Sequence, residues 1–280
     1  MTNLVCNVFD IVRNSFVDGP GIRTVVFFKG CNLNCQWCHN PEGKSFERQL
    51  LFYKDKCKNC GLCKQVCPYA LLKCDYCGKC EFYCVHSARK IAGKAYDVEE
   101  LFFEIEKDCN LYQETNGGVT FSGGECMLQI DFLESILKKC RANKIHTAVD
   151  TAGNVPWEYF ERIIPYTDLF LYDVKCITES LHINYTDVSN QRILENLIRL
   201  SAICLDKIRI RIPVINEFNG NIKEMQKIAK FLRDLKLKKI ELLPYHSLGE
   251  QKSIALGERV VSFSNPTEES MKQFRSLFDE

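Results

Sequence analysis

"GVTFSGGECMLQIDFLESILKKCRANKIHTAVDTAG", residues 118–153, reads as strand, helix, strand. "GVTFS" (118–122) is a short apolar run. "IDFLESILKKC" (130–140) spaces its apolar residues three and four apart, which is the helical period, and "HTAVD" (146–150) is a second strand. A helix between two strands calls for a right-handed crossover and parallel pairing. Both strands end in unusual polar residues, "GGE" (123–125) and "DTAG" (150–153).

The same unit recurs on either side. "TVVFF" (24–28), "LFLYDV" (169–174), "KIRIRIPV" (207–214) and "KIELLPY" (239–245) read as four more strands. "PWEYFERII" (156–164), "QRILENLIRL" (191–200) and "IKEMQKIAKFLRDLK" (222–236) carry helical spacing. A further helix over 98–108 has a capping box, with Asp97 bonding first-turn amides and Glu100 reaching back. Six β–α units predict an α/β fold with a parallel sheet, a partial (β/α)6 TIM-like barrel spanning 1–280. A doubly wound open sheet satisfies the same pattern. No internal repeat is read from the sequence. The polar motifs "DVK" (173–175), "RIP" (211–213) and "PYH" (244–246) also follow strands. Six motifs on the C-terminal rim of parallel strands, where barrel enzymes carry their chemistry, point to one site.

Lys plus Arg (37) and Asp plus Glu (36) balance, which argues against a nucleic-acid or anionic-membrane partner. The N-terminus lacks a basic stretch followed by an apolar core, and the apolar runs are too short to span a bilayer. The expectation is a cytoplasmic protein. Seventeen cysteines in a reducing compartment point to metal rather than disulfides.

Eleven of those cysteines fall in three groups. "CKNCGLCKQVCP" holds Cys57, Cys60, Cys63 and Cys67 at spacing two, two, three before a proline, the run that wraps an iron–sulfur cube in bacterial ferredoxins. Cys74, Cys77, Cys80 and Cys84 repeat that spacing, with Val85 in place of proline. In two-cluster ferredoxins each fourth cysteine serves the other cube. Only six residues part the runs, so the exchange of Cys67 and Cys84 stays open. Zinc is the competing occupant, although zinc pairs are usually separated by a longer arm. This segment, 53–95, is an insertion between the first strand and its helix.

The third group is Cys31, Cys35 and Cys38, with Trp37 before the last. Three thiolates leave one iron of a cube open, and an open position on a metal centre marks catalysis. A ferredoxin site borrowing a distant cysteine is the alternative.

This C-x3-C-x2-C group resembles the radical S-adenosylmethionine superfamily. "DGPGIRTVVFFKGCNLNCQWCHNPE" (18–42), "GGVTFSGGE" (117–125), "DTAG", "YDVK" (172–175) and "LLPYHSLGEQK" (242–252) together resemble the glycyl-radical-enzyme activating enzymes across nearly all the chain. "YCVHSARKIAGKAYDVEEL" (83–101) looks most like the hydroxyproline dehydratase activase. The resemblance implies a catalytic 4Fe-4S cluster, two accessory clusters, and reductive cleavage of S-adenosylmethionine to a 5′-deoxyadenosyl radical. That radical takes hydrogen from a glycine of a partner glycyl-radical enzyme, with a flavodoxin or ferredoxin-type reductant supplying electrons.

It also implies roles. Gly123 and Gly124 admit the S-adenosylmethionine amino group, and Glu125 accepts near it. Lys175 pairs with its carboxylate or ribose. Asp150, Thr151 and Asp173 match a monovalent-cation site, Arg211 reaches the methionyl carboxylate, and His246 lies against the adenosyl group. Asp18 holds the partner's glycine loop or is an ordinary turn residue. Two departures stand out. Cys126 replaces a common proline, with inert packing as its plainer reading. The chain stops at "FRSLFDE" (274–280), where relatives add a short strand, so a looser barrel edge is expected. The rival functions are a radical enzyme acting on a small molecule or RNA, and an electron-transfer ferredoxin fused to a barrel.

Overall fold

In the computed structural model, which describes residues 4–279, one eight-stranded sheet carries most of the chain. Strand β1 (Val5–Ser15) runs antiparallel to β2 (Arg23–Phe28). A separate antiparallel pair, β3 (Gln49–Phe52) and β4 (Arg89–Ala92), closes the base of the cysteine-rich segment. Two short helices lie within that segment, α1 (Leu62–Val66) and α2 (Lys79–Phe82). Strand β5 (Lys94–Asp97) returns to pair with β1, and α3 (Val98–Glu106) and α4 (Cys109–Thr115) follow. Strand and helix then alternate. The order is β6 (Gly118–Gly123), α5 (Ile130–Ala142), β7 (His146–Thr151), α6 (Trp157–Ile163) and β8 (Leu169–Asp173). After it come α7 (Glu179–Thr186), α8 (Gln191–Cys204), β9 (Ile208–Val214), α9 (Ile222–Asp234), β10 (Ile240–Pro244), α10 (Leu248–Leu256) and α11 (Glu268–Ser276).

The sheet order is β10-β9-β8-β7-β6-β2-β1-β5, and every pair from β10 to β2 is parallel. These six parallel strands are the six read from the sequence. Strands β1 and β5 add an antiparallel edge that the apolar-run reading did not foresee. Helices α7, α10 and α11 were likewise unread.

The sheet curls. From β2 to β10 is five strand spacings, roughly 24 Å if flat. Yet α10, which follows β10, touches the loop that follows β2. Lys252 Nζ lies 2.9 Å from Glu42 Oε1 and donates to His39 O, and Gly249 packs on Cys38 O. This curvature is in keeping with a partial barrel rather than a flat doubly wound sheet.

Side chains alternate across the parallel strands, as the two-residue period requires. Ile208, Ile210, Ile212 and Val214 of β9 are buried in the main core, and Arg209 and Arg211 turn to the other face. Phe170 and Tyr172 of β8 join the same core, and Asp173 does not. Each such aliphatic burial contributes about 1.5–3 kcal/mol. The opposite, concave face carries a small apolar cluster of Ala148, Leu169 and Leu171, with polar groups such as Asp150, Asp173 and Arg211 beside it. The capping box on α3 forms as read, with Asp97 Oδ1 accepting from Glu100 N at 2.8 Å and Glu100 Oε2 accepting from Asp97 N at 3.1 Å.

One expectation is corrected: the cysteine segment does contain an internal repeat. Shifting by seventeen residues superposes the four cysteines of one run on the next. The backbone follows suit. Asn59 and Tyr76 have φ of 52° and 57°, Gly61 and Gly78 have 76° and 75°, and Ala70 and Ser87 both have 49°. Cysteine spacing is shared by the runs, but most intervening residues differ, so conformation reveals what identity hides.

Candidate active site

The loop after β2 is tied down at every turn. Buried Lys29 donates to Glu42 O and to Gln49 Oε1, and Gly30 N and Cys31 N donate to Gly43 O and Lys44 O at 2.7 and 2.9 Å. Asn34 N and Gln36 N donate to the carbonyls of Thr186 and Tyr185, which fix the loop to α7. Held this way, the thiols of Cys31, Cys35 and Cys38 lie close enough to feel one another's charge. Burial pushes the Cys31 thiol up to about 12 and that of Cys38 to about 11. Burial also raises Cys35, with Lys175 and Lys44 pulling the other way. Thiols of this kind become ligands only when a metal displaces their protons. Among the described residues no three His, Cys, Asp or Glu side chains are placed to hold one metal ion. Thiolates spread over the separate irons of a cluster need not meet at a point.

Trp37 packs on Phe218 at 4.3 Å between ring centroids, inside an aromatic cluster with Tyr185 and Phe263. His246 is exposed and stands edge-on to His39 at 4.1 Å.

The "GGE" turn abuts this loop. Gly124 N donates to Phe28 O, and Glu125 N to Gly30 O. A Cβ on Gly124 would sit 2.2 Å from Gly30 O and 2.6 Å from Gly43 O, so backbone of the chain itself demands glycine here. Glu125 is fully buried. Its carboxylate accepts from the Thr151 hydroxyl at 2.8 and 2.9 Å, from Ala152 N at 2.9 Å and from Met127 N at 3.2 Å. It thereby pins the end of β7 to the turn after β6. Burial pushes its carboxyl up to about 7.

The concave face beside the turn holds a charge cluster. Asp150 accepts from Ser122 Oγ at 2.6 Å and faces Arg211 Nη1 at 3.4 Å, and burial pushes its carboxyl up to about 6. Asp18 lies 3.5 Å from the same Arg211 nitrogen. Asp150, burial notwithstanding, holds the Arg211 guanidinium firmly charged. Lys175 is buried and sits 2.8 Å from Asp173 Oδ2; burial opposes its charge, but Asp173 and Cys35 more than offset that. The sequence reading missed Arg23, a fully buried strand residue. It donates to Thr120 Oγ1, Val119 O and Pro20 O and so seats the Asp18 turn. A lone charge heading the apolar "RTVVFF" was its signal. Cys126 is buried and donates to Phe121 O and Asp150 O, as packing requires.

The cysteine segment forms two cavities. Cys57, Cys60 and Cys63 line one of about 230 Å³ together with Cys84. Cys74, Cys77 and Cys80 line one of about 110 Å³ together with Cys67. The last cysteine of each run thus faces the other run's cavity. Both volumes are many times the roughly 10–15 Å³ that one water needs, which leaves room for a multi-atom group. The exchanged thiols occupy matching settings. Cys67 Sγ accepts from Leu71 N and Cys84 Sγ from Ala88 N, each at 3.3 Å and four residues on.

A family model described as "4Fe-4S single cluster domain" matches residues 17–194. The trans-4-hydroxy-L-proline dehydratase activating enzyme of Clostridioides difficile is 40% identical over 97% of this chain and 95% of its own length. The (2S)-3-sulfopropanediol dehydratase activating enzyme of Klebsiella oxytoca is 39% identical over 89% of this chain and 85% of its own. A crystallised domain of the pyruvate-formate lyase-activating enzyme of Bacteroides vulgatus is 34% identical, with a TM-score of 0.50, covering 58% of this chain and 93% of that one. A radical SAM methyltransferase of Sphaerobacter thermophilus, 13% identical, shares the fold with a TM-score of 0.57 over 99% of this chain and 74% of that one. With relatives this similar over nearly its whole length, the chain belongs to the glycyl-radical-enzyme activating enzymes of the radical S-adenosylmethionine superfamily.

Proposed function

We propose that this activating enzyme holds a 4Fe-4S cluster on Cys31, Cys35 and Cys38 and keeps two accessory clusters in the segment 53–95. When bound, the first cluster supplies one electron to S-adenosylmethionine, yielding methionine and a 5′-deoxyadenosyl radical that takes hydrogen from a partner's glycine. The observation that carries this reading is that the thiols of Cys31, Cys35 and Cys38, held in the loop after β2, lie close enough to act on one another's charge with Lys175 beside them, while buried Cys126 at the neighbouring turn is bonded to backbone carbonyls.

The chain's residues divide the remaining work. The Lys175 ammonium beside Cys35 favours the thiolate and offers a cation to the substrate carboxylate. Arg211, on β9, offers a second cation to that carboxylate. Asp150 and Asp173 supply hard oxygen donors for a monovalent cation, with Thr151 at the same strand end. Gly123, Gly124 and Glu125 shape the turn that the amino group would meet, while Trp37 and His246 wall the loop. The accessory clusters would use Cys57, Cys60, Cys63 and Cys84 in one cavity and Cys74, Cys77, Cys80 and Cys67 in the other. When bound there, they would relay electrons inward from a flavodoxin or ferredoxin-type protein. We place the chain in the cytoplasm, where its seventeen free thiols stay reduced. No helix among the described residues is long and apolar enough to cross a membrane.

The test is anaerobic incubation with S-adenosylmethionine, reductant and candidate glycyl-radical enzymes, beginning with a trans-4-hydroxy-L-proline dehydratase. Electron paramagnetic resonance should show a glycyl doublet on the partner. Formation of 5′-deoxyadenosine with no doublet on any candidate would remove the partner assignment.

A further inference from the structure

Among the described residues only two side chains line both cysteine cavities, Leu71 and Arg89. Leu71 is an apolar wall. Arg89 is different. It opens β4, pairs in register with Phe52 and lays its guanidinium over the Phe52 ring at 4.5 Å. Its Nε is buried and has no hydrogen-bond partner among the described residues. A buried, unpaired N–H costs free energy unless something accepts from it. Its guanidinium also acts electrostatically on a thiol of each set, Cys80 in one cavity and Cys84 in the other.

The repeat provides an internal control. The position seventeen residues earlier is Leu72, which is 94% exposed. The repeated backbone therefore does not itself require an arginine at this point. The other cations at the cavities, Lys58, Lys64 and Lys73, each line a single cavity and are exposed, so solvent and salt screen them. Arg89 is the shared, partly desolvated one.

We propose that Arg89 is a redox-tuning residue common to both accessory clusters. Its fixed charge stabilises the extra electron on each, and its Nε–H donates to cluster sulfur. This inference rests on the reading that two clusters occupy these cavities. A positive charge between two centres that gain negative charge on reduction raises both reduction potentials, and a hydrogen bond to sulfur acts in the same direction.

The test uses the full chain with all clusters reconstituted, as wild type, Arg89→Gln and Arg89→Lys. Iron content, expected at about twelve atoms per chain for three four-iron clusters, is measured first. A potentiometric titration followed by electron paramagnetic resonance comes second. At the wild-type midpoint, Arg89→Gln should lower the reduced-to-oxidised ratio of both accessory clusters by about tenfold, equivalent to about 59 mV for a one-electron couple. The Cys31–Cys35–Cys38 cluster should be unmoved. Arg89→Lys, which keeps charge but loses the planar donor, should lie between. A shift at one accessory cluster alone, or at neither, overturns the inference. So does loss of iron from both variants, which would make Arg89 a structural strut. Wild type with iron for fewer than three clusters would instead overturn the two-cluster reading beneath it.

Discussion

The two cysteine regions solve opposite problems. In the rim loop, three thiols lie half-buried against the core, next to Lys175 and a glycine turn that leaves no slack. In the inserted segment, eight thiols line two cavities, and Cys60, Cys74 and Cys77 are exposed. The loop offers fewer ligands than a cube has irons and surrounds the vacancy with charged groups. The segment offers four thiols to each cavity, and apart from Arg89 the cations lining them, Lys58, Lys64 and Lys73, are exposed. On the proposed function, the contrast is that between a centre that binds substrate and centres that only pass electrons.

The sharpest way to break the comparison is to remove one thiol from each side. Cys35→Ala should abolish 5′-deoxyadenosine formation, a loss of at least about 10³-fold, since the open centre cannot be held by two thiolates. Any activity near wild type would end the catalytic assignment. Gly124→Ala comes next. Its Cβ would meet two backbone carbonyls, of Gly30 and Gly43, and neither can rotate away. Overpacking of this kind costs roughly 1–3 kcal/mol or more, and here the strain falls on the loop that carries Cys31. We expect lowered iron at the rim centre alone, read by quantitative electron paramagnetic resonance, with the accessory signals retained. Cys60→Ala should be milder. With a strong chemical reductant it should retain activity within about tenfold of wild type. With a protein reductant it should fall much further, because the broken centre lies on the electron path rather than at the chemistry.

How much of this was legible from residues alone follows the same division. The six parallel strands announced themselves because each is a short apolar run ending in a polar motif, and apolar periodicity is a local signal. β1 escaped because "VCNVFDIVRNS" mixes apolar and charged residues, and it was read only for targeting. β5, four residues long, has no pattern to read. At the site, motif spacing brought Cys31, Cys35, Cys38, Asp150, Asp173, Lys175 and Arg211 onto one rim. What spacing could not give was pairing. That Glu125 is fully engaged by Thr151 and backbone amides is a tertiary fact. The arrival of Asp18 at Arg211 is another, depending on the curl of the sheet. The exchange of Cys67 and Cys84 was left open by a six-residue gap. The positive φ at Ala70 and Leu71 turns the chain within that gap, and no propensity for those residue types foretells it.

The smallest effect discriminates most finely. Gly61 and Gly124 are both glycines beside a cysteine site, yet for different reasons. Gly61 has φ +76°, and an added Cβ would meet nothing within 4 Å. Its requirement is conformational, so Gly61→Ala should cost about 1 kcal/mol, a fall of roughly 2 °C in melting temperature for a chain of this size. Asparagine tolerates the left-handed region, as Asn59 already does at φ 52°. Gly61→Asn should therefore cost less than Gly61→Ala. At Gly124 the order must reverse, because the obstacle is space and asparagine is the larger residue. Thermal unfolding of the four variants checks this. If asparagine proved worse than alanine at both positions, the segment would be as tightly packed as the rim, and the distinction between the two cysteine regions would fail.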